Sequence, residues 1–379
     1  MGYPVGRRQL LAGAALCLSG CATPSSKPAR LNLAKLHASM DRITQITVCT
    51  RPFREAGPRF DVEKIGAKTV VHNYGHGGSG WSLSWGSAAL VVPKAMAAGE
   101  RDIAVIGCGA IGLTTALLLQ RAGAKVTIYA KELPPNVRSS LASGIWSPDS
   151  RICFEREATP EFKKNWEFMC RHSYRTYQSL LGLAGDPVEY IDAIGVRDEL
   201  VRQRPIHPPD PRPQFAELDS ELTPDLSVRA EEFAPGEHSL GLHYLRRGKS
   251  LMFNIPAYSR LLMSDFLQFG GKIEIAEFHS PADFARLPQN TLVNCTGYGA
   301  RQLFGDSTVH PVRGQLAHLI PQPEVGYALF YKGISFIPRR DGLVFQVFHN
   351  DYYGFDDDGT APDRGEAEEA VGSIASLFA

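Results

Sequence analysis

The pattern of apolar and polar positions changes period several times along the chain, and each change predicts an element. Residues 103–106 are an unbroken apolar run of the length a buried parallel strand needs, residues 113–120 are Ala- and Leu-rich, and residues 124–129 are apolar again. That reads as strand, helix, strand. Upstream, Leu33, Leu36 and Met40 share one face of a helix over residues 31–43, residues 45–50 predict a strand, and residues 70–86 a strand entering a glycine-rich loop. A helix over 85–98 then feeds the strand at Ile103 through a very short link. Downstream, 141–148 is a loop around Trp146, and 160–183 is an amphipathic helix with Trp166, Met169, Tyr177 and Leu180 on one face. Residues 255–269 predict a helix, and 272–278 and 291–295 predict strands. From Val312 the pattern turns to short strands, including 335–338 and 343–348, and a helix over 366–378 follows. The proline-rich stretch 206–213 and the acidic run 356–358 read as surface, without the carboxylate spacing of a calcium loop.

The turn between the first strand and helix carries Gly107, Gly109 and Gly112 at G-x-G-x-x-G spacing. The first glycine permits the tight turn, the second lets backbone approach a pyrophosphate, and the third lets helix and strand pack closely. Ala110 and Ile111 open the helix, whose N–H groups and positive dipole end favour an anion. Alone the motif is weak, but set strand–turn–helix–strand it points to a dinucleotide. The alternative is a glycine-rich turn in an ordinary α/β core. A second cluster, Gly75, Gly77, Gly78 and Gly80, is too dense for regular structure and suggests backbone lying close to a flat ligand.

Composition narrows the picture. The 379 residues suffice for one large or two ordinary domains, and Lys+Arg and Asp+Glu are both 40, which gives no basis for a nucleic-acid partner. None of the seven cysteines has zinc-site spacing, and the five beyond the leader are scattered as buried small residues would be. Residues 1–21 read as an export signal: Arg7 and Arg8 precede a short apolar run too short to span a bilayer. Leu18-Ser19-Gly20-Cys21 is similar to a lipobox, which implies a lipid anchor on Cys21, and the paired arginines are similar to a twin-arginine signal. The expected location is periplasmic and membrane-anchored, with 22–30 as a tether.

Four groups of segments, VIGCGAIGLTTALLLQ…VTIYAKELPPN with LASGIWSP, TLVNCTGYGARQL with HPVRGQL, FIPRRDG, and CTRPFREAGPRFDVE with VVHNYGHGGSGWSLSWG, together resemble the D-amino-acid oxidase family of flavoproteins. The likeness covers most of residues 45–379 and is thin between Val188 and Leu251. In that family the HNYGHGG block lies near the C-terminus, whereas here it precedes the first glycine motif. The order therefore looks circularly permuted, which is tolerated where the old termini were neighbours and the new ones open an exposed connection. The implied fold is α/β, a Rossmann-like FAD-binding domain (66–150 plus 251–315) with a mixed-sheet substrate domain (31–65 plus 151–250 plus 316–379).

The resemblance implies FAD rather than NAD. Glu132 would take the ribose hydroxyls, although it sits late for the NAD fingerprint, and Lys131 would be available to the diphosphate. Ser139 and Ser140 match pyrophosphate-binding hydroxyls, Gly144 and Ile145 would approach the flavin ring, and Thr296 its other side. The backbone of Gly77, Gly78, Ser79 and Gly80, with Ser82, matches a loop whose N–H donors stabilise charge on the reduced ring. Arg51 occupies the position of the arginine that grips the α-carboxylate, with Arg54 and Arg59 read as surface charges or loop staples. Tyr331 matches a carboxylate-binding tyrosine, while a second such tyrosine falls near Ser335. A Gly-Gly pair of the family's pocket strand is replaced in 343–348, where Phe345 and Gln346 narrow the expected pocket. The implied reaction passes the α-hydrogen of a D-amino acid as hydride to flavin N5, giving a keto acid, ammonia and peroxide. A dehydrogenase serving a quinone or carrier, a non-catalytic flavin protein and an NAD-linked enzyme are the competing readings. His72 and His76, four apart in a glycine loop with no third ligand near, read as hydrogen-bonding rather than metal-binding. The expected partners are a small amino-acid substrate and a membrane surface, with a homo-oligomer left open.

Overall fold

A computed structural model of the chain describes residues 30–199 and 211–379. The export signal, Cys21, most of the tether and most of the proline-rich 206–213 lie outside the described residues. The strands are β1 (Ile43–Arg54), β2 (Val62–Ile65), β3 (Lys68–His72), β4 (Asp102–Ile106), β5 (Lys125–Ala130), β6 (Val188–Arg197) and β7 (Glu231–Phe233), followed by β8 (Tyr244–Phe253), β9 (Lys272–Ile275), β10 (Thr291–Asn294), β11 (Val309–Leu319), β12 (Tyr327–Tyr331), β13 (Ile334–Arg339) and β14 (Gly342–Val347). The longer helices are α1 (Gly80–Met96), α2 (Ala110–Arg121), α3 (Pro160–Gln178), α4 (Ile255–Gln268) and α5 (Arg364–Ala375).

Two sheets organise these elements. The six-stranded sheet runs β2-β3-β10-β4-β5-β9, parallel apart from β2 at its edge. In β4 every residue after Asp102 is buried, because helices cover both faces of such a sheet. Val105 and Ile103 share a core with Leu113 and Leu117 of α2 and Trp85 of α1. The eight-stranded sheet runs β1-β11-β14-β13-β12-β6-β8-β7 and is antiparallel except between β12 and β6. One of its faces carries Phe336, Phe345, Leu329 and Tyr331, packed against Val371 and Ile374 of α5. The other face carries Ala328 and Ile337, packed with Met252 of β8 and with Ile145, which bridges to it. Alternation along each strand sorts these residues, so the register decides which side chains look toward the cofactor side.

Residues 31–43 do not form the expected helix. Their backbone groups are taken by distant partners instead: the Ala34 carbonyl accepts from the Tyr327 hydroxyl at 2.6 Å, and the His37 N–H donates to Gln322 Oε1 at 2.8 Å. Only Met40–Arg42 turns, while Leu36 is buried against the far core. Three apolar residues at helical spacing are too short a signal to withstand such tertiary competition. The glycine-rich loop is also shorter than expected, since α1 begins at Gly80 and takes in Trp81 to Gly86.

Candidate functional site

A cavity of ≈ 970 Å³ opens where the parallel strands end. That volume lies at the upper end of the range for ligand sites, about 300–1,000 Å³. Its walls are the residues that follow the carboxyl ends of β3 (Tyr74 to Gly78), β10 (Cys295, Thr296), β4 (Gly107 to Ile111), β5 (Lys131, Glu132) and β9 (Ala276 to His279). Ligands of open parallel sheets lie in this crevice. The two glycine clusters, far apart in pattern, thus border one space. Trp81 Nε1 donates to the Ser139 carbonyl at 2.7 Å, and Ser139 Oγ accepts from the Ala110 N–H at 3.0 Å, so the starts of α1 and α2 are tied through one serine.

Of the residues singled out from sequence, Arg51, Gly77, Gly78, Gly80, Gly107, Gly109, Ala110, Ile111, Lys131, Glu132, Ser139 and Thr296 line this cavity. Gly112 stands behind the turn, where a Cβ would come within 2.0 Å of the Gly107 carbonyl oxygen. Ser140 Oγ is buried and unpartnered among the described residues.

Other expected site residues are placed elsewhere. The Ser79 hydroxyl donates to the Ser150 carbonyl at 3.1 Å and the Ser82 hydroxyl accepts from the Ser147 N–H at 2.9 Å, so both anchor the following loop. Gly144 and Ile145 pair with the end of β8, the Gly144 carbonyl accepting from Phe253 N–H at 2.7 Å. The expected N–H donors shift as well. Gly77 N–H donates to the Pro52 carbonyl and Gly78 N–H to the Ser150 carbonyl, so the open donors are those of the α1 start, as at any helix N-terminus.

Tyr331 does not reach the cavity. It lies on the far face of the sheet, in the core with α5, and its hydroxyl donates to Asp198 at 2.9 Å. Register puts its neighbour Phe330 on the Arg51 side, opposite Ser335. Tyr331→Phe is therefore expected to leave kcat/KM for any carboxylate substrate within about threefold of wild type, since it removes one partly exposed hydrogen bond, as steady-state kinetics would show. The substituted pair in β14 also splits between faces. Phe345 stacks on Phe336 in the far core, 5.5 Å between ring centroids, and only Gln346 takes the sheet face that carries Arg51, paired with Ser335.

Of the three nearby arginines, Arg54 pairs with Asp306 at 3.3 Å and Arg59 with Asp61 at 2.6 Å. Arg51 has no carboxylate partner among the described residues. Its Nη1 donates to the Arg313 carbonyl at 3.2 Å, and the guanidinium lies over Gly314, where a Cβ would be 2.4 Å away. Sequence reasoning missed Trp81, Arg138, Glu277 and His279 as cavity walls. The crevice rule applied to the strand read at 272–278 would have found the last two.

The polar residues of the HNYGHGG block hold the loop. Asn73 Nδ2 donates to Thr115 at 3.1 Å, Ser87 bridges Asn73 and His76, and His72 contacts Glu63 at 3.0 Å and Asn294 at 3.1 Å. Burial pushes His76 down to about 3; burial, aided by the Arg339 charge, takes His318 down to about 4; and burial lowers His72. His76 and His318 stay neutral in the fold well below pH about 6.5, where they bind protons when unfolded, and His72 is shifted in the same direction. Unfolding then takes up protons, so stability is level above that pH and falls as pH drops from about 6.5 toward 3. Each such histidine steepens the decline by about 1.4 kcal/mol per pH unit. Thermal midpoints measured from pH 8 to 4 should show it, with a shallower slope in His76→Gln. The Cys108 and Cys295 thiols, pushed up to about 12 by burial, stay protonated and serve as packing.

Residues 102–379 match the model of the DAO family, described as FAD dependent oxidoreductase. The chain belongs to this family. The D-amino-acid oxidase of Dictyostelium discoideum is 25% identical over 284 residues, 73% of this chain and 72% of that protein. That of Rubrobacter xylanophilus is 30% identical over 241 residues, 63% of this chain and 66% of its own length. Among solved structures, iminodiacetate oxidase from Chelativorans sp. BNC1 shares the fold, with a TM-score of 0.50 at 16% identity over 73% of this chain and 78% of that one. The chain is an FAD-dependent oxidoreductase, and its residues fit FAD. The turn at Gly107–Gly109 and the start of α2, where Ser139 holds the Ala110 N–H, suit a diphosphate, and Glu132 stands past β5 where a ribose needs an acceptor.

Proposed function

We propose that this FAD enzyme oxidises D-amino acids. The observation that carries the reading is the cavity bordered by both glycine segments, with an arginine at one end that no carboxylate of the described residues neutralises. FAD, when bound, supplies the two-electron acceptor for the substrate's α-C–H bond. The residues of the chain bind and orient. The planar fork of Arg51 can take both oxygens of an α-carboxylate, and its position is fixed by the Arg313 carbonyl and the bare Gly314. The register sets Phe330, Ser335 and Gln346 on the same face of the sheet as Arg51, where side chains would bound the substrate. No buried acid or base is needed beside the reacting carbon if the amine arrives neutral, since geometry alone then brings the atoms within about 3–3.5 Å.

Anaerobic titration of the yellow holoprotein with D- and L-amino acids tests this. Bleaching by D-amino acids, with peroxide formed on admitting air, is the expected result. Flavin that stays oxidised with every D-amino acid would sink the reading. Bleaching with dye reduction but no peroxide would point to a dehydrogenase.

The family match begins at Asp102, yet β1 to β3 complete both sheets from the preceding segment. The described ends lie side by side, Leu36 packing against Ile374 and Leu377. These facts support a circularly permuted gene. Moving residues 31–98 behind 379 should give a protein with the same flavin spectrum, and loss of folding would argue against it. Export and anchoring through Cys21 are proposed from sequence, and Cys21→Ala should release the enzyme from the membrane fraction.

A further inference from the structure

Among the described residues, one cation of the cavity wall is uncommitted. Arg138 lines the cavity at the head of the short turn Arg138–Leu141. Its neighbour Ser139 accepts from the Ala110 N–H at 3.0 Å, so the backbone of Arg138 is anchored on one flank of the Gly107–Gly109 turn. The side chain leads to the other flank, where its guanidinium carbon lies 4.8 Å from the centroid of the Tyr298 ring. Tyr298 belongs to the segment leaving β10, which is pressed on the same turn: a Cβ on Gly107 would be 2.6 Å from the Cys295 carbonyl oxygen. Ser139, Thr296 and Tyr298 line the cavity with Arg138. Neither a carboxylate nor any hydrogen-bond acceptor meets the Arg138 guanidinium among the described residues. The other cations of the wall are engaged. Lys131, expected at the diphosphate, faces Glu277 at 3.5 Å. Arg301 Nη1 donates to the Ser307 and Val309 carbonyls at 3.0 and 2.6 Å. Arg51 enters from the eight-stranded sheet and is held by the Arg313 carbonyl.

We propose that Arg138 pairs with the diphosphate of bound FAD across the two flanks of the turn, and that Tyr298 holds the guanidinium ready before the cofactor arrives. The turn and the start of α2 offer a diphosphate N–H groups and a dipole end but no full charge. A planar guanidinium supplies that charge and can donate two parallel hydrogen bonds to phosphate oxygens. A cation resting on an exposed ring is held weakly, so it moves to a phosphate oxygen at little cost. Its rotamers are already restricted by the ring, which lowers the entropy lost when the ion pair forms. Arg138 is exposed, so the pairing is screened by salt. The inference concerns the cofactor alone and holds whichever substrate the enzyme oxidises. A surface arginine that merely covers its tyrosine is the competing account.

Two measurements separate these accounts: fluorescence titration of the apoprotein with FAD, and phenylglyoxal labelling of arginines mapped by mass spectrometry. Arg138→Met should raise the Kd for FAD roughly 10- to 100-fold, the worth of a charged hydrogen bond. Arg138→Lys should recover part of the loss, and Tyr298→Leu should fall between wild type and Arg138→Met. Added KCl should weaken FAD binding more in wild type than in Arg138→Met, because the variant lacks the screened pair. In the wild-type protein, labelling of Arg138 should slow severalfold once FAD is bound, while the exposed Arg229 reacts alike with and without it. Arg138→Met with a Kd within about threefold of wild type, equal losses in the methionine and lysine variants, or Arg138 labelling that FAD leaves unchanged would each overturn the proposal. The labelling needs no variant, so a misfolded Arg138→Met does not leave the matter open.

Discussion

Arg51→Ala should keep its yellow colour and lose on the order of 100-fold in kcat/KM for carboxylate substrates, about 3 kcal/mol. The loss should fall chiefly on KM. The guanidinium is expected to hold the carboxylate equally in ground and transition states, and removing uniform binding raises KM while leaving kcat largely alone. Flavin should be retained because Arg51 meets the cavity from β1, in the eight-stranded sheet, whereas the dinucleotide-binding turn belongs to β4 and α2. Neighbouring arginines supply the control. Arg54→Ala and Arg59→Ala break ion pairs with Asp306 and Asp61, so they should lower the melting temperature and move KM little. Unchanged kinetics in Arg51→Ala would remove this residue from the substrate site, and with it the carboxylate end of the cavity.

How much of this was legible beforehand follows the physics of each signal. The β4–α2–β5 unit could be read because its information is local: an apolar run, three glycines and an Ala/Leu helix lie within one short stretch. Pairing Gly77 with the same cavity needed the family likeness, since nothing local in residues 70–86 says which crevice they enter. Tyr331 was placed by alignment alone, and a strand reverses every side chain when register shifts by one. Its matched position therefore says nothing about which face it takes, and the tertiary pairing puts Phe330 on the Arg51 face of the sheet instead. Phe345 and Gln346 divide between faces for the same reason.

The largest effect on the cofactor should come from Gly112→Ala. The substitution suits helix propensity, where alanine is worth about 1 kcal/mol over glycine, and α2 would tolerate it on backbone grounds. Contact decides the other way. The new Cβ would sit 2.0 Å from the Gly107 carbonyl oxygen and 2.8 Å from its carbon, both backbone atoms that cannot rotate aside. Clearing them moves the start of α2 away from the turn by about 1 Å, and overpacking of this kind costs about 1–3 kcal/mol. The same movement withdraws the Ile111 N–H, and the Ser139 hydroxyl held by the Ala110 N–H, from the place where a diphosphate would lie, so cofactor affinity falls together with stability. The expected preparation is pale, with FAD bound at least about tenfold more weakly by fluorescence titration, and the apoprotein melts several degrees lower. Gly248→Ala, whose Cβ would meet nothing within 4 Å, should match wild type in both measurements. A Gly112→Ala protein that bound FAD with wild-type affinity would show that the close packing of turn and helix is not what holds the dinucleotide.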